Sequence, residues 1–120
     1  GIDGTFISEI PLEYDSLETE EIECQPRVFS PGGSGSVFEF TETSILYDLQ
    51  EASNVTVRIF NLSGRLKQTL KPNNYLESGH QIINWNGKDF NGDVVPSGLY
   101  IVTLEKEDTI LRTTVGLLNR

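Results

Sequence analysis

The sequence predicts an all-β fold, a sandwich of seven or eight antiparallel strands. Three observations predict it. Apolar residues alternate with polar ones in short runs, spaced about 8–12 residues apart and separated by turn residues. No window supports an amphipathic helix. The block Trp85-Asn86-Gly87-Lys88-Asp89-Phe90-Asn91-Gly92-Asp93-Val94-Val95-Pro96-Ser97-Gly98-Leu99-Tyr100 is strand punctuation. An aromatic ends one strand, two Asn/Asp/Gly turns follow, and a Pro-Ser-Gly corner opens the next strand at Tyr100.

The elements follow in order. Residues 1–26 read as an acidic linker or edge segment, and residues 27–120 as the sandwich domain. Within the first segment, Thr5-Phe6-Ile7 and Glu9-Ile10 form a short strand candidate that Pro11 interrupts. The composition changes at Gln25-Pro26-Arg27, and Arg27-Val28-Phe29 is a second short candidate. Ser30 to Ser36 is a Gly/Ser/Pro loop. Val37-Phe38-Glu39-Phe40 reads as a strand, as does Ser44 to Leu49 with Ile45, Tyr47 and Leu49 on one face. Gln50 to Ser53 is a turn.

Asn54 to Asn61 is the cleanest strand, with Val55, Val57 and Ile59 inward and Thr56 and Arg58 toward water. Ser63-Gly64 turns the chain, and Arg65 to Leu70 returns antiparallel. Pro72-Asn73-Asn74 is expected to break that strand. Gly79 to Trp85 carries Ile83 and Trp85 inward. Gly98 to Lys106 carries Tyr100, Val102 and Leu104 inward, Glu107-Asp108 makes a hairpin, and Thr109 to Leu118 returns. Trp85 is expected in the core beside Tyr100 and the Val55/Val57/Ile59 row.

Charge is uneven. The chain carries −9, yet residues 1–24 hold eight acids and no Lys or Arg, leaving ten acids and nine bases beyond. Without clustered cations, neither nucleic acid nor an anionic membrane surface is an expected partner. No apolar run reaches 18 residues, so no membrane span is expected. Met is absent, and the chain reads as an excised or processed piece of a longer protein. Cys24 is the only cysteine and has no internal disulfide partner.

No constellation points to catalysis, and no cofactor is expected. His80 is the single histidine, on an outward register, with no nucleophile motif beside it. One Cys and one His do not make a zinc site. No Gly-rich loop opens a helix for a nucleotide. Acids are plentiful but lie mostly in the N-terminal segment or at turns, which offers no cleft for a glycosidase pair. Asp89, Asn91 and Asp93 are weak calcium candidates. An EF-hand register fails, because Gly92 at its sixth position puts Gly87 at the first and Gly98 at the twelfth. Turn chemistry is the competing reading of these Asx residues. The triplets at Asn54 and Asn61 match a glycosylation pattern on or beside a strand. A flat aromatic platform would instead make a carbohydrate-binding module, with Phe38, Phe60 and Phe90 the aromatics of open facing.

Two blocks resemble a known family. Val55-Thr56-Val57-Arg58-Ile59-Phe60-Asn61-Leu62-Ser63-Gly64-Arg65-Leu66 resembles the strand-turn of the C-terminal immunoglobulin-like domains of secreted bacterial proteins. The same type occurs in the flagellar hook-capping protein. Gly79, Trp85, Gly87, Asp89, Gly92, Pro96, Gly98 and Tyr100 are similar to the family's second block, and Arg112 to Leu118 to its closing strand. Asn86 stands where the family usually has an acid, and Thr113, Thr114 and Gly116 where its sorting subgroup usually carries Lys.

The resemblance implies an immunoglobulin-like sandwich and a non-catalytic accessory module at the C-terminus of a secreted bacterial protein. It implies export, surface attachment or presentation of an upstream domain, including type IX secretion. The implied partners are that upstream domain and secretion or cell-surface machinery, and the implied location is secreted or on the cell surface. Leu111, Val115, Leu117 and Arg120 are the candidate sorting strand.

Overall fold

A computed structural model describes residues 21–31, 40–107 and 109–119. The described residues form an all-β, immunoglobulin-like sandwich of eight strands. They are β1 (Ile22–Gln25), β2 (Val28–Phe29), β3 (Thr43–Leu49), β4 (Ser53–Asn61), β5 (Leu66–Leu76), β6 (Gly79–Trp85), β7 (Gly98–Glu105) and β8 (Ile110–Leu117). One sheet has the order β1-β3-β6, and the other β2-β8-β7-β4-β5.

Five of the six ladders among the described residues are antiparallel, and short turns join two of them, β4–β5 and β7–β8. The exception is β2, which runs parallel to β8 with Val28 opposite Gly116 and Phe29 opposite Leu117. β1 and β2 therefore belong to different sheets although only Pro26 and Arg27 separate them. A cis Gln25–Pro26 peptide lies at this crossover, and the Thr43 hydroxyl donates to the Pro26 carbonyl at 2.7 Å. β1 is an edge of the small sheet and places Cys24 in the core.

The core is the set of inward rows. Ile45, Tyr47 and Leu49 of β3, with Ile83 and Trp85 of β6, face Val55, Val57 and Ile59 of β4 and Tyr100, Val102 and Leu104 of β7. Val115 and Leu117 of β8 and Phe29 of β2 complete it. Alternation places each of these inward because successive side chains leave a strand on opposite faces.

Contrary to expectation, Pro72-Asn73-Asn74 does not end a strand: all three residues lie within β5. The ladder absorbs them by register shifts opposite Val55 and Val57, with Asn73 at φ 47° and its amide held by the Thr56 hydroxyl at 2.9 Å. β5 is the outer strand of its sheet, where a missing proline N–H costs no ladder bond. The strand expected over 37–40 falls on residues 37–39, outside those described, while Phe40 is exposed and not in a strand. The candidates at Thr5 to Ile10, together with Asp108 and Arg120, also lie outside the described residues.

Candidate functional site

The block from Trp85 to Tyr100 folds into one hydrogen-bonded corner between the sheets. Trp85 is 1% exposed. Its indole meets Phe29 edge-on with centroids 5.6 Å apart, and Tyr100 likewise at 5.7 Å. The indole N–H donates to the Lys88 carbonyl at 3.0 Å, so a polar group buried with the ring is satisfied by its own turn. The Tyr100 hydroxyl donates to the Pro96 carbonyl. Burial pushes the Tyr100 and Tyr47 phenols above their ordinary pKa.

Gly87 fits for two separate reasons. Its φ is +83°, and an added Cβ would lie 2.5 Å from Pro31 and 2.8 Å from Leu117. The turn around it closes with the Val95 amide donating to the Gly87 carbonyl at 2.9 Å and the Lys88 amide to Asn86 Oδ1 at 3.1 Å.

Asp89 organises the next turn. One oxygen of its carboxylate, Oδ1, accepts from the amides of Asn91 at 2.9 Å and Asp93 at 3.1 Å. Its own amide donates to the Asp93 carbonyl at 2.8 Å, and the Gly92 amide to the Asp89 carbonyl at 2.9 Å. These are Asx-turn bonds. Among the described residues no three His, Cys, Asp or Glu side chains converge as metal ligands. Gly92 at φ +89° has open space where a Cβ would go. Gly98 is likewise open, and Pro96 is exposed.

The candidate sorting strand is β8. It lies between β2 and β7, with Val115 and Leu117 buried in the core and Leu111 half-buried against it. Trp85, Gly87 and Tyr100 thus gather with Val115 and Leu117 of the last strand into one packed cluster. Asp89 and Gly92 sit in the adjoining turn.

Other reactive groups are dispersed. His80 and Asp48, directly opposed on β6 and β3, contact each other in solvent. Cys24 is buried, and burial pushes its thiol up from 9.0 to about 11, with a Thr43 hydrogen bond opposing the shift and the charge of Glu23 reinforcing it. Trp85 is unavailable as a flat platform, while Phe40 ahead of β3, Tyr75 on β5 and Phe90 in the loop after β6 are exposed at three separate places in the chain.

Sequence alternation did not single out the outer faces of the two sheets. On the large sheet, strand register aligns three rows: Arg58–Thr103–Arg112, Phe60–Ile101–Thr114, and Leu99–Gly116–Val28. On the small sheet, Glu23–Leu46–Ile82 forms a row beside Asp48–His80. The available signal was doubled apolar residues: Leu46 between Ile45 and Tyr47, Ile82-Ile83, and Leu99-Tyr100-Ile101-Val102. In each doublet one side chain must face outward.

The chain resembles solved structures of two bacterial proteins. FlgD from P. aeruginosa superposes with a TM-score of 0.54 at 21% identity, over 62% of this chain and 61% of FlgD. The fold is shared. PorZ, described as an essential surface component of the type IX secretion system of Porphyromonas gingivalis, superposes with a TM-score of 0.53 at 18% identity. That match covers 81% of this chain but 11% of PorZ. No protein-family profile and no curated protein matches the chain.

Proposed function

We propose that this chain is a non-catalytic accessory module of a secreted bacterial protein, serving export, surface attachment or presentation of a domain on the same polypeptide. One observation carries the reading most. The residues of its most distinctive motif are committed to packing and turns: Trp85 and Tyr100 in the core, Gly87 under Pro31 and Leu117, Asp89 on two backbone amides. The likeness in fold to FlgD and PorZ supports a place among flagellar or secretion-linked proteins.

Removing the last strand is a poor test, because β8 supplies Val115 and Leu117 to the core. A better one fuses residues 1–120 behind a periplasmic reporter in a bacterium that has type IX machinery. The reporter is expected at the cell surface or in the medium. A folded fusion held in the periplasm would overturn the export role. Of the aromatics named for the competing carbohydrate-binding reading, Phe90 is exposed, Phe60 is half-buried and Phe38 lies outside the described residues. Phe40 and Tyr75 are exposed as well, and retention of the chain on a polysaccharide panel would favour that reading.

A further inference from the structure

We propose that the two outer faces of the sandwich dock on one another between copies of this chain, the acid-rimmed face of one copy against the arginine-bearing face of the next. This goes beyond the accessory-module reading and does not depend on it.

The faces are opposite in charge and alike in apolar layout. On the small sheet, Glu21, Glu23 and Asp48 surround an apolar pair, Leu46 and Ile82, in an open hollow of about 370 Å3. Ile82 is 67% exposed. On the large sheet, Phe60 and Ile101 lie side by side on adjacent strands, and Leu99 and Val28 continue the patch at 52% and 53% exposure. Leu99 and Val28 close over Gly116, whose absent Cβ would lie 3.7 Å and 3.3 Å from their side chains. Arg112 stands at the edge of the same face, exposed, sharing a shallow hollow with Glu21 of its own chain but within ion-pair distance of no acid among the described residues, whereas Arg58 is paired with Glu105.

Both faces carry the ordinary strand spacing of a sheet. Neighbouring strands lie about 4.8 Å apart, so Glu23, Leu46 and Ile82 span roughly 9.6 Å across β1, β3 and β6. Arg112, Ile101 and Phe60 are spread over three adjacent strands, β8, β7 and β4, at the same strand spacing. Apposing the two faces covers exposed aliphatics on both sides and sets Arg112 against Glu23, since Asp48 is already engaged by His80. Contiguous apolar patches of this kind mark interaction surfaces.

A contact between two different faces is heterologous, so it does not stop at a dimer but adds copies into a ring or an open row. Each face is small, on the order of 300 Å2 from strand spacing and row length, below the area of a standard stable interface. The association is therefore weak in free solution. It becomes significant near the millimolar effective concentrations of tethered modules.

The test is sedimentation of the 120-residue chain at up to about 1 mM, near 0.15 M salt, where repulsion between copies of charge −9 is screened beyond about 8 Å. Parent protein is expected to show a concentration-dependent series of species. Glu23→Lys and Arg112→Glu are each expected to weaken association roughly tenfold, since each sets like charges against one another. The double variant, or a mixture of the two single variants, is expected to recover association, because the two substitutions exchange the signs across the contact and opposite charges meet again. Ile82→Ser and Leu99→Ser are expected to weaken it without changing charge. Thermal melts confirm that each variant is folded. A monomeric parent at the highest concentration would overturn the proposal. So would single variants that associate like the parent, or a charge swap without recovery.

Discussion

Trp85 and Tyr100 stand edge to face with ring centroids 5.7 Å apart and planes at 68°, and each sends its polar atom to a carbonyl of the loop joining their strands. Lys88 receives the indole and Pro96 the phenol. The loop is thereby fastened at both ends to the core that its own flanking aromatics build. Trp85→Ala removes both the Phe29 and Tyr100 contacts and leaves a cavity. A loss of about 3–5 kcal/mol is expected. Against a total of about 5–15 kcal/mol this threatens folding itself. A denaturant melt followed by circular dichroism measures it, and a midpoint close to the parent's would refute the placement.

Two glycines in the same block separate backbone strain from crowding. Gly87 and Gly92 have similar positive φ, +83° and +89°, but only Gly87 has neighbours within contact of a new Cβ. Gly92→Ala is expected to cost about 1 kcal/mol, from conformation alone. Gly87→Ala adds an overpacking cost of about 1–3 kcal/mol on top. Comparable midpoints for the two variants would contradict the packing of Gly87 under Pro31 and Leu117.

Thr103 is a buried hydroxyl whose Oγ1 has no hydrogen-bond partner among the described residues, on the outer face of β7 between Arg58 and Arg112. Thr103→Val keeps the shape and removes the orphaned polar atom. Stability is expected to hold or rise by about 1 kcal/mol. A clear loss in a thermal melt would mean that the hydroxyl is satisfied in solution.

The Cys24 thiol supplies a pH dependence. Its folded pKa, about 11, lies above the ordinary value of 9.0. A raised value means that the protonated thiol is favoured by folding, so the associated stability is present below pH 9 and is lost as pH rises through 11. Tyr47 and Tyr100, also raised, act in the same direction. Alkaline destabilisation is expected in that window, and Cys24→Ala should reduce it. Native protein near pH 8 should react with a thiol reagent far more slowly than denatured protein. Equal rates would place Cys24 at the surface.

Much of this architecture was legible because the inward rows alternate strictly. Val55, Val57 and Ile59, then Tyr100, Val102 and Leu104, fall inward from period alone. The β5 interruption was misread because Pro72 is a strand breaker only where its N–H is needed, and an outer strand with bulges does not need it. The β2–β8 pairing was illegible for a different reason. Two residues carry too little pattern to choose a partner, and a parallel pair leaves no turn signature. Asp89 was legible as a turn residue, since Asx chemistry is local. The outer apolar rows depend on cross-strand register, which no single strand reveals.

The most direct measurement uses the only tryptophan in the chain. Acrylamide quenching of Trp85 fluorescence in the folded protein reports whether the indole is enclosed between the sheets. Blue-shifted, quench-resistant emission that becomes red-shifted and quenchable in one cooperative unfolding step is the expected result. Emission that is already red-shifted and freely quenched in the native protein would put the indole on the surface and contradict the packing of the Trp85 to Tyr100 block between the sheets.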